Sequence, residues 1–253
     1  MIRPYWSVGI VVLLSSGLFA QRPEPRMGRG DFAFVRGEFG AANKVVQGAP
    51  YSAKAVTEFT QVLADGNRIQ RTTTAAIVRD SQGRVRTERS LAAIGALSAS
   101  GGGATIVSIF DPVAGMSYIL NPAKRTARQM AVRAPLNGLR GARARSEATS
   151  KTEDLGTQTM QGVTVQGTRV TRTIPAGQEG NERSIEIVTE TWYSPDLRAV
   201  VMSKTSDPRF GDTVYQLTNI TRTEPDPALF SVPSDYTVEA RPMRGPGPRG
   251  PAQ

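Results

Sequence analysis

The chain of 253 residues contains no cysteine and no histidine. That excludes disulfides, thiol chemistry, thiolate metal sites and Ser-His-Asp or Cys-His catalysis, and leaves an enzyme only carboxylates, lysine, serine and tyrosine. A formal net charge of +9 favours acidic partners, such as anionic lipid head groups, acidic glycans or nucleic acid, or else serves solubility alone.

The chain begins with a basic residue, Arg3, then an apolar run from Val8 to Phe19 and Ala20-Gln21. This order reads as a secretory signal peptide over residues 1–20. The run is shorter than the about 20 residues of a comfortable membrane span, although a retained N-terminal anchor stays open. Export places the protein in the periplasm or outside the cell, and makes nucleic acid the least expected of the acidic partners. No cysteine stands at the signal exit, so the chain is not itself read as a lipoprotein. Residues 21–31 are rich in proline, glycine and arginine and read as a flexible leader. Residues 32–50 hold either a short helix or a first strand.

From Tyr51 the pattern has a period of two. Tyr51, Ala53, Ala55, Phe59 and Leu63 share one face, and Lys54, Glu58 and Thr60 share the other, as in a half-buried strand. Asp65-Gly66 predicts a hairpin into a threonine-rich strand, Arg68–Arg79, and Asp80–Gly83 predicts a turn into Arg84–Leu91. Leu91–Ala104 then breaks the pattern, and reads either as an ordinary loop or as a short helix and mobile apolar lid. Its glycine run has no following Lys-Ser or Lys-Thr, so it is not a phosphate loop.

Further strands are predicted over Thr105–Phe110, Met116–Leu120 and Arg125–Val132. Residues 133–150 lose all periodicity and carry Arg133, Arg140, Arg143 and Arg145 against one acid, Glu147. This basic loop is read as a linker, with an anionic membrane surface as its candidate partner. A strand is predicted over Thr159–Ile174, with a bulge near Gly167 where the apolar face switches parity. Three strands follow, ending at Tyr193, Lys204 and Thr221. Asp226-Pro227 then predicts a capped helical turn anchored by Leu229, Phe230 and Val232. Residues 241–253 read as a disordered Pro/Gly/Arg tail. The whole describes a mainly β domain over residues 32–240, a large curled antiparallel sheet or half-barrel of about nine to eleven strands with one or two short helices.

Candidate chemistry is sparse. Glu186 and Glu190 share a strand face about 13 Å apart, wider than a glycosidase carboxylate pair. Asp207 and Asp212 flank a turn whose intervening residues do not match a calcium loop. Trp192, Tyr193, Tyr215, Phe230 and Tyr236 read as core or cross-strand aromatics, and the basic residues lack the interleaved aromatics of a single-strand nucleic-acid platform. No catalytic, metal, cofactor or ligand-binding residue is assigned, and no cofactor or nucleic-acid partner is expected.

Three short motifs carry a resemblance. They are Asp111–Gly115 followed by Tyr118–Leu120, then Trp192–Leu197, then Asp226–Pro233. Over residues 45–240 the chain resembles an uncharacterised family of exported bacterial proteins, and is similar to the lipoprotein-carrier (LolA/LolB-like) superfamily, whose fold the RseB-type stress sensors share. The resemblance implies a strongly curved, incompletely closed antiparallel sheet, helices that close it, and an apolar concavity for acyl chains. The candidates for those helices are residues 32–50 and Leu91–Leu97. The functional expectation is a non-enzymatic binding or carrier protein for a lipid or acylated ligand; the alternative is an envelope interaction or sensing module. Oligomeric state stays open.

Overall fold

Short runs of alternating polarity, punctuated by Asp-Gly, Asn-Pro and Gln-Gly, leave the backbone little choice but hairpins. The structure, a computed structural model, describes residues 45–90, 105–132 and 149–240. The signal segment, the leader, the Leu91–Leu97 helix candidate, Arg133, Arg140, Arg143, Arg145 and the tail all lie outside the described residues.

Twelve strands form one sheet. They are β1 (Tyr51–Val62), β2 (Arg68–Arg79), β3 (Val85–Ser90), β4 (Thr105–Asp111), β5 (Met116–Asn121), β6 (Thr126–Ala131), β7 (Thr149–Met160), β8 (Val163–Ile174), β9 (Ile185–Ser194), β10 (Ala199–Asp207), β11 (Gly211–Thr221) and β12 (Thr237–Ala240). The order across the sheet is β12-β6-β5-β4-β3-β2-β1-β11-β10-β9-β8-β7, so two meanders meet where β1 pairs with β11. Every pairing is antiparallel except β12 with β6. The strands at the two ends of this order do not pair with each other, so the sheet is curled but not closed into a barrel.

The expected nine to eleven strands become twelve. The main correction is at β7 and β8. The predicted single strand Thr159–Ile174 is the second half of a hairpin, turning at Gln161-Gly162 with positive φ at both residues (51° and 77°). Its partner β7 is an edge strand, and an edge strand of mostly polar residues shows no apolar alternation to read. The predicted bulge lies opposite Gly167 rather than beside it. Leu155 is the extra residue, between Asp154 and Gly156 of β7. Two more bulges, in β10 between Val200 and Met202 and in β11 opposite Ala53, raise the local twist and bend the sheet. Among the described residues the helical content is one 3-10 turn, Pro227–Phe230. Residues 45–50 contain neither helix nor strand.

Two cores lie on opposite faces. The first packs Tyr51, Ala53, Ala55, Ala75, Ile77, Tyr215 and Leu217 with Val163, Val165, Leu197, Ala199 and Val201. The second packs Val107, Ile109, Leu120 and Ala127 under Phe230, with Val78, Tyr118, Val232 and Tyr236 at its margin. The register explains the split. Ile109 pairs with Arg86 and Arg86 with Val78, the opposite parity from Ile77. The segment after β11 therefore runs along the outer face as a strap before β12 joins the far edge beside β6. Asp226 caps its 3-10 turn by accepting the Ala228 N–H at 2.8 Å, with Pro227 at the first position, as expected. Phe230 is buried as predicted, whereas Leu229 is 39% exposed.

Candidate ligand-binding face

In a flat sheet β2 and β10 would lie about 14 Å apart, three strand spacings. Yet Arg79 Nη2, at the end of β2, donates to the carbonyl of Leu197 in the β9–β10 turn. The sheet must bend toward the face that carries Arg79 and Tyr51, which is therefore the inner one. Arg79 also donates through Nε and Nη2 to the Ala49 carbonyl, at 3.0 and 2.7 Å, and its guanidinium stacks on the Tyr51 ring at 4.6 Å. Burial pulls its pKa below the ordinary arginine value; Tyr51 and Tyr193 act the other way and the nearby Arg198 cation adds to the lowering. These contacts tie the end of β2 to Ala49 and to the β9–β10 turn. Asp80 and Arg84 brace it from the next turn: Asp80 accepts the Arg84 N–H at 2.8 Å, and the Arg84 guanidinium lies 4.9 Å over Phe230 of the strap.

Uninterrupted ladders place the rest of the inner face residue by residue. Above the Arg79–Tyr51 pair come Ile77 with Ala53, then Ala75 with Ala55 and Leu217, an apolar floor. Next, Thr73, Thr57, Tyr215, Ser203 and Thr191 form a row of hydroxyls across five strands. Beyond it stand Arg71, Phe59, Thr213, Thr205 and Thr189. In the other direction the face continues through Thr87 and Arg89 of β3 to Ile106, Ser108 and Phe110 of β4 and Ile119 of β5. Here apolar groups meet solvent: Ile106 is 37% and Ile119 41% exposed, and Phe59 and Phe110 are half-buried.

Charge is distributed unevenly between the two faces. Across β1–β4 and β11 the inner face carries Arg71, Arg79 and Arg89 and no acid. Glu58, Glu88, Asp111 and Asp212 all have the opposite parity. The Thr57 hydroxyl lies on this inner face. Thr57 is 5% exposed, and its Oγ1 has no hydrogen-bond partner among the described residues.

The carboxylates singled out from the sequence have structural partners. Glu190 accepts from Arg169 at 2.7 Å, Asp207 from Arg209 at 2.8 Å, and Asp212 from Ser206 at 2.7 Å. The hydrogen bonds that Arg209 donates to Asp207, with the Asp207 and Glu179 charges, hold the Arg209 pKa above its ordinary value despite some burial. Glu186 lies on β9 with Glu190, four residues away, and the structure does not bring the two together. Trp192 packs at the margin of the first core, where a Cβ on Gly167 would meet its ring at 2.5 Å. Tyr215 and Phe230 are core residues, while Tyr193 is 40% exposed. No inner-face residue was singled out as a ligand contact from sequence. The alternate positions Arg71, Thr73, Ala75, Ile77 and Arg79 carried that signal, a polar-to-apolar gradient along one strand face.

No family model matches the chain, and no curated protein matches it. Solved structures similar to it include an uncharacterized conserved protein from Thermus thermophilus, at 11% identity and TM-score 0.42, covering 79% of this chain and 94% of that one. The MucA/MucB complex structure from Pseudomonas aeruginosa is similar at 13% identity and TM-score 0.42, covering 81% of this chain and 61% of that one. A LolA superfamily protein from Nitrosomonas europaea is similar at 8% identity and TM-score 0.32, covering 76% and 94%. A protein named for the superfamily that the sequence motifs resemble is among these structures.

Proposed function

We propose that this is an exported, non-enzymatic carrier or binding protein of the cell envelope, which holds a lipid or acylated ligand on the inner face of its curled sheet. The observation that carries the reading is that Phe59, Ile106, Phe110 and Ile119, none of them fully buried, share the inner face with the buried floor at Ala55 and Ala75. Exposed apolar side chains that share one concave face are unfavourable in water and are relieved by an apolar ligand. The reading also takes the N-terminal segment as a cleaved signal and residues 32–240 as one domain. It assigns Arg133, Arg140, Arg143 and Arg145 to an anionic membrane surface. The test is native mass spectrometry of the full chain, expressed in an exporting host and purified without detergent. A co-purifying mass assignable to a lipid supports the reading; a clean ligand-free mass that stays unchanged after incubation with lipid vesicles overturns it.

A second reading, an envelope interaction or sensing module, is favoured by β7, whose twelve residues pair on one side only among the described strands. Such an edge accepts an added strand. Enrichment of one envelope protein by the intact chain, lost when a proline replaces an outward N–H of β7, would support this reading over the first.

A further inference from the structure

We propose that the inner face of β9, β10, β11, β1 and β2 binds an acidic oligosaccharide, laid across the strands with a carboxylate on Arg71, a sugar ring on Phe59 and hydroxyls on the threonines that follow. The inference is separate from the lipid reading, since it uses the polar part of the face and not the buried floor. One unbroken row of cross-strand pairs carries it. Arg71 pairs with Phe59, Phe59 with Thr213, Thr213 with Thr205 and Thr205 with Thr189. The three bulges among the described strands lie away from this row, so its five side chains share one face. The Thr205 and Thr189 hydroxyls lie 3.4 Å apart, as two side chains on the same face must. Phe59 and the three threonines are half-buried and Arg71 is exposed, so the row meets solvent, unlike the floor at Ala55 and Ala75. A second row, through Ser203 and Thr191, runs beside it.

The chemistry of the row selects the ligand. On their outer face the same strands carry Glu58, Glu190, Lys204 and Asp212, the charged side chains of a solvated sheet surface. The row offers short hydroxyls instead. Threonine is β-branched and restricted at χ1, so little side-chain entropy is lost when its hydroxyl binds. Each hydroxyl both donates and accepts, which is what a sugar hydroxyl needs from its partner. An acyl chain on the same row would only desolvate those hydroxyls. Neighbouring strands stand about 4.8 Å apart, close to the span of one pyranose ring, so a glycan crossing the strands meets one hydroxyl per sugar. Phe59 supplies an apolar surface for the C–H face of a ring. Beside it the Arg71 fork matches a planar carboxylate through two parallel N–H···O bonds, and no acid stands in the row to compete for it. The net charge of +9 acts in the same direction.

The experiment is an NMR titration of the full chain, labelled at its threonine methyl groups. The probes are hexagalacturonate, a hyaluronan hexasaccharide, and the methyl ester of hexagalacturonate, which lacks the charge. An acidic hexasaccharide is expected to shift the methyl resonances of Thr189, Thr205 and Thr213 and to leave the outer-face Thr72 and Thr218 unmoved. The ester is expected to bind about tenfold more weakly than the acid. Arg71→Gln, at an exposed position, is expected to bring the acid down to the level of the ester and leave the ester unchanged. Thr205→Val, checked for folding by circular dichroism, is expected to weaken acid and ester alike, by about threefold to fivefold. No shift in the row with either acidic probe, equal affinity for acid and ester, or unchanged affinity in R71Q overturns the assignment. Shifts confined to outer-face or loop threonines overturn it too, and assign the binding to the general positive charge of the chain.

Discussion

Arg79 shows how one side chain decides the curvature of a sheet. Its guanidinium joins the lead-in residue Ala49, the strand β2 and the β9–β10 turn, positions separated by 30 and 118 residues in sequence. Replacing it with methionine keeps the length but leaves two carbonyls without their donor. We expect Arg79→Met to cost about 3 kcal/mol, read as a lower midpoint in urea unfolding. A neutral result would show that the turn holds itself in place. Thr57 has the opposite expectation. Because its hydroxyl is buried without a partner, Thr57→Val removes a desolvated group at nearly constant shape. The ligand-free protein should gain about 1 kcal/mol, measured by thermal melting after delipidation. A loss of stability would mean that the hydroxyl is satisfied in solution.

At the scale of elements, the strap after β11 rests on one aromatic anchor. Phe230 is 3% exposed and packs on Val107, Ile109, Leu120 and Ala127, and the strand it leads to, β12, pairs over only four residues. Phe230→Ala should cost about 3–4 kcal/mol. Amide exchange at Thr237–Ala240 should quicken more than at β10 or β11, because β12 has no other hold comparable to this one. Uniform quickening across the sheet would show that the strap and sheet unfold as one unit. Gly167 tests the hairpin at the other end. A methyl there would lie 2.5 Å from the Trp192 ring and 2.8 Å from Leu155 Cβ, on both sides of the same strand. Gly167→Ala should cost about 2 kcal/mol and disturb the tryptophan fluorescence. The two elements differed in legibility. The cap at Asp226-Pro227 and the burial of Phe230 were readable because both depend on a few adjacent residues. β7 was not, since Thr149–Met160 is held by pairing with β8 and not by an apolar face of its own.

At the scale of the molecule, curvature creates an inner face with an apolar floor, a row of hydroxyls and, across the described strands β1–β4 and β11, arginines without acids. The overall charge bears on where such a protein works. Replacing Arg133, Arg140, Arg143 and Arg145 together by alanine should lower sedimentation with anionic vesicles, by about 1 kcal/mol for each residue that reaches the surface, and leave neutral vesicles unaffected. Equal sedimentation of the variant and the unaltered chain would assign those arginines to solubility.

Sequence by itself determined the class: a mainly β chain, with no residues for thiol or histidine chemistry, and hairpins at Asp65-Gly66 and Asp80–Gly83. These follow from local rules, the period of two and the φ demands of turn residues, which act over a few positions. The tertiary structure alone decided which face is inner, because that depends on three bulges and on a contact between Arg79 and Leu197, 118 residues apart. It alone separated the two cores onto opposite faces, since the face that Phe230 covers is set by the β2–β3–β4 register. And it alone brought Arg71 beside Phe59. Twelve positions separate them along the chain, and only the β1–β2 register makes them neighbours.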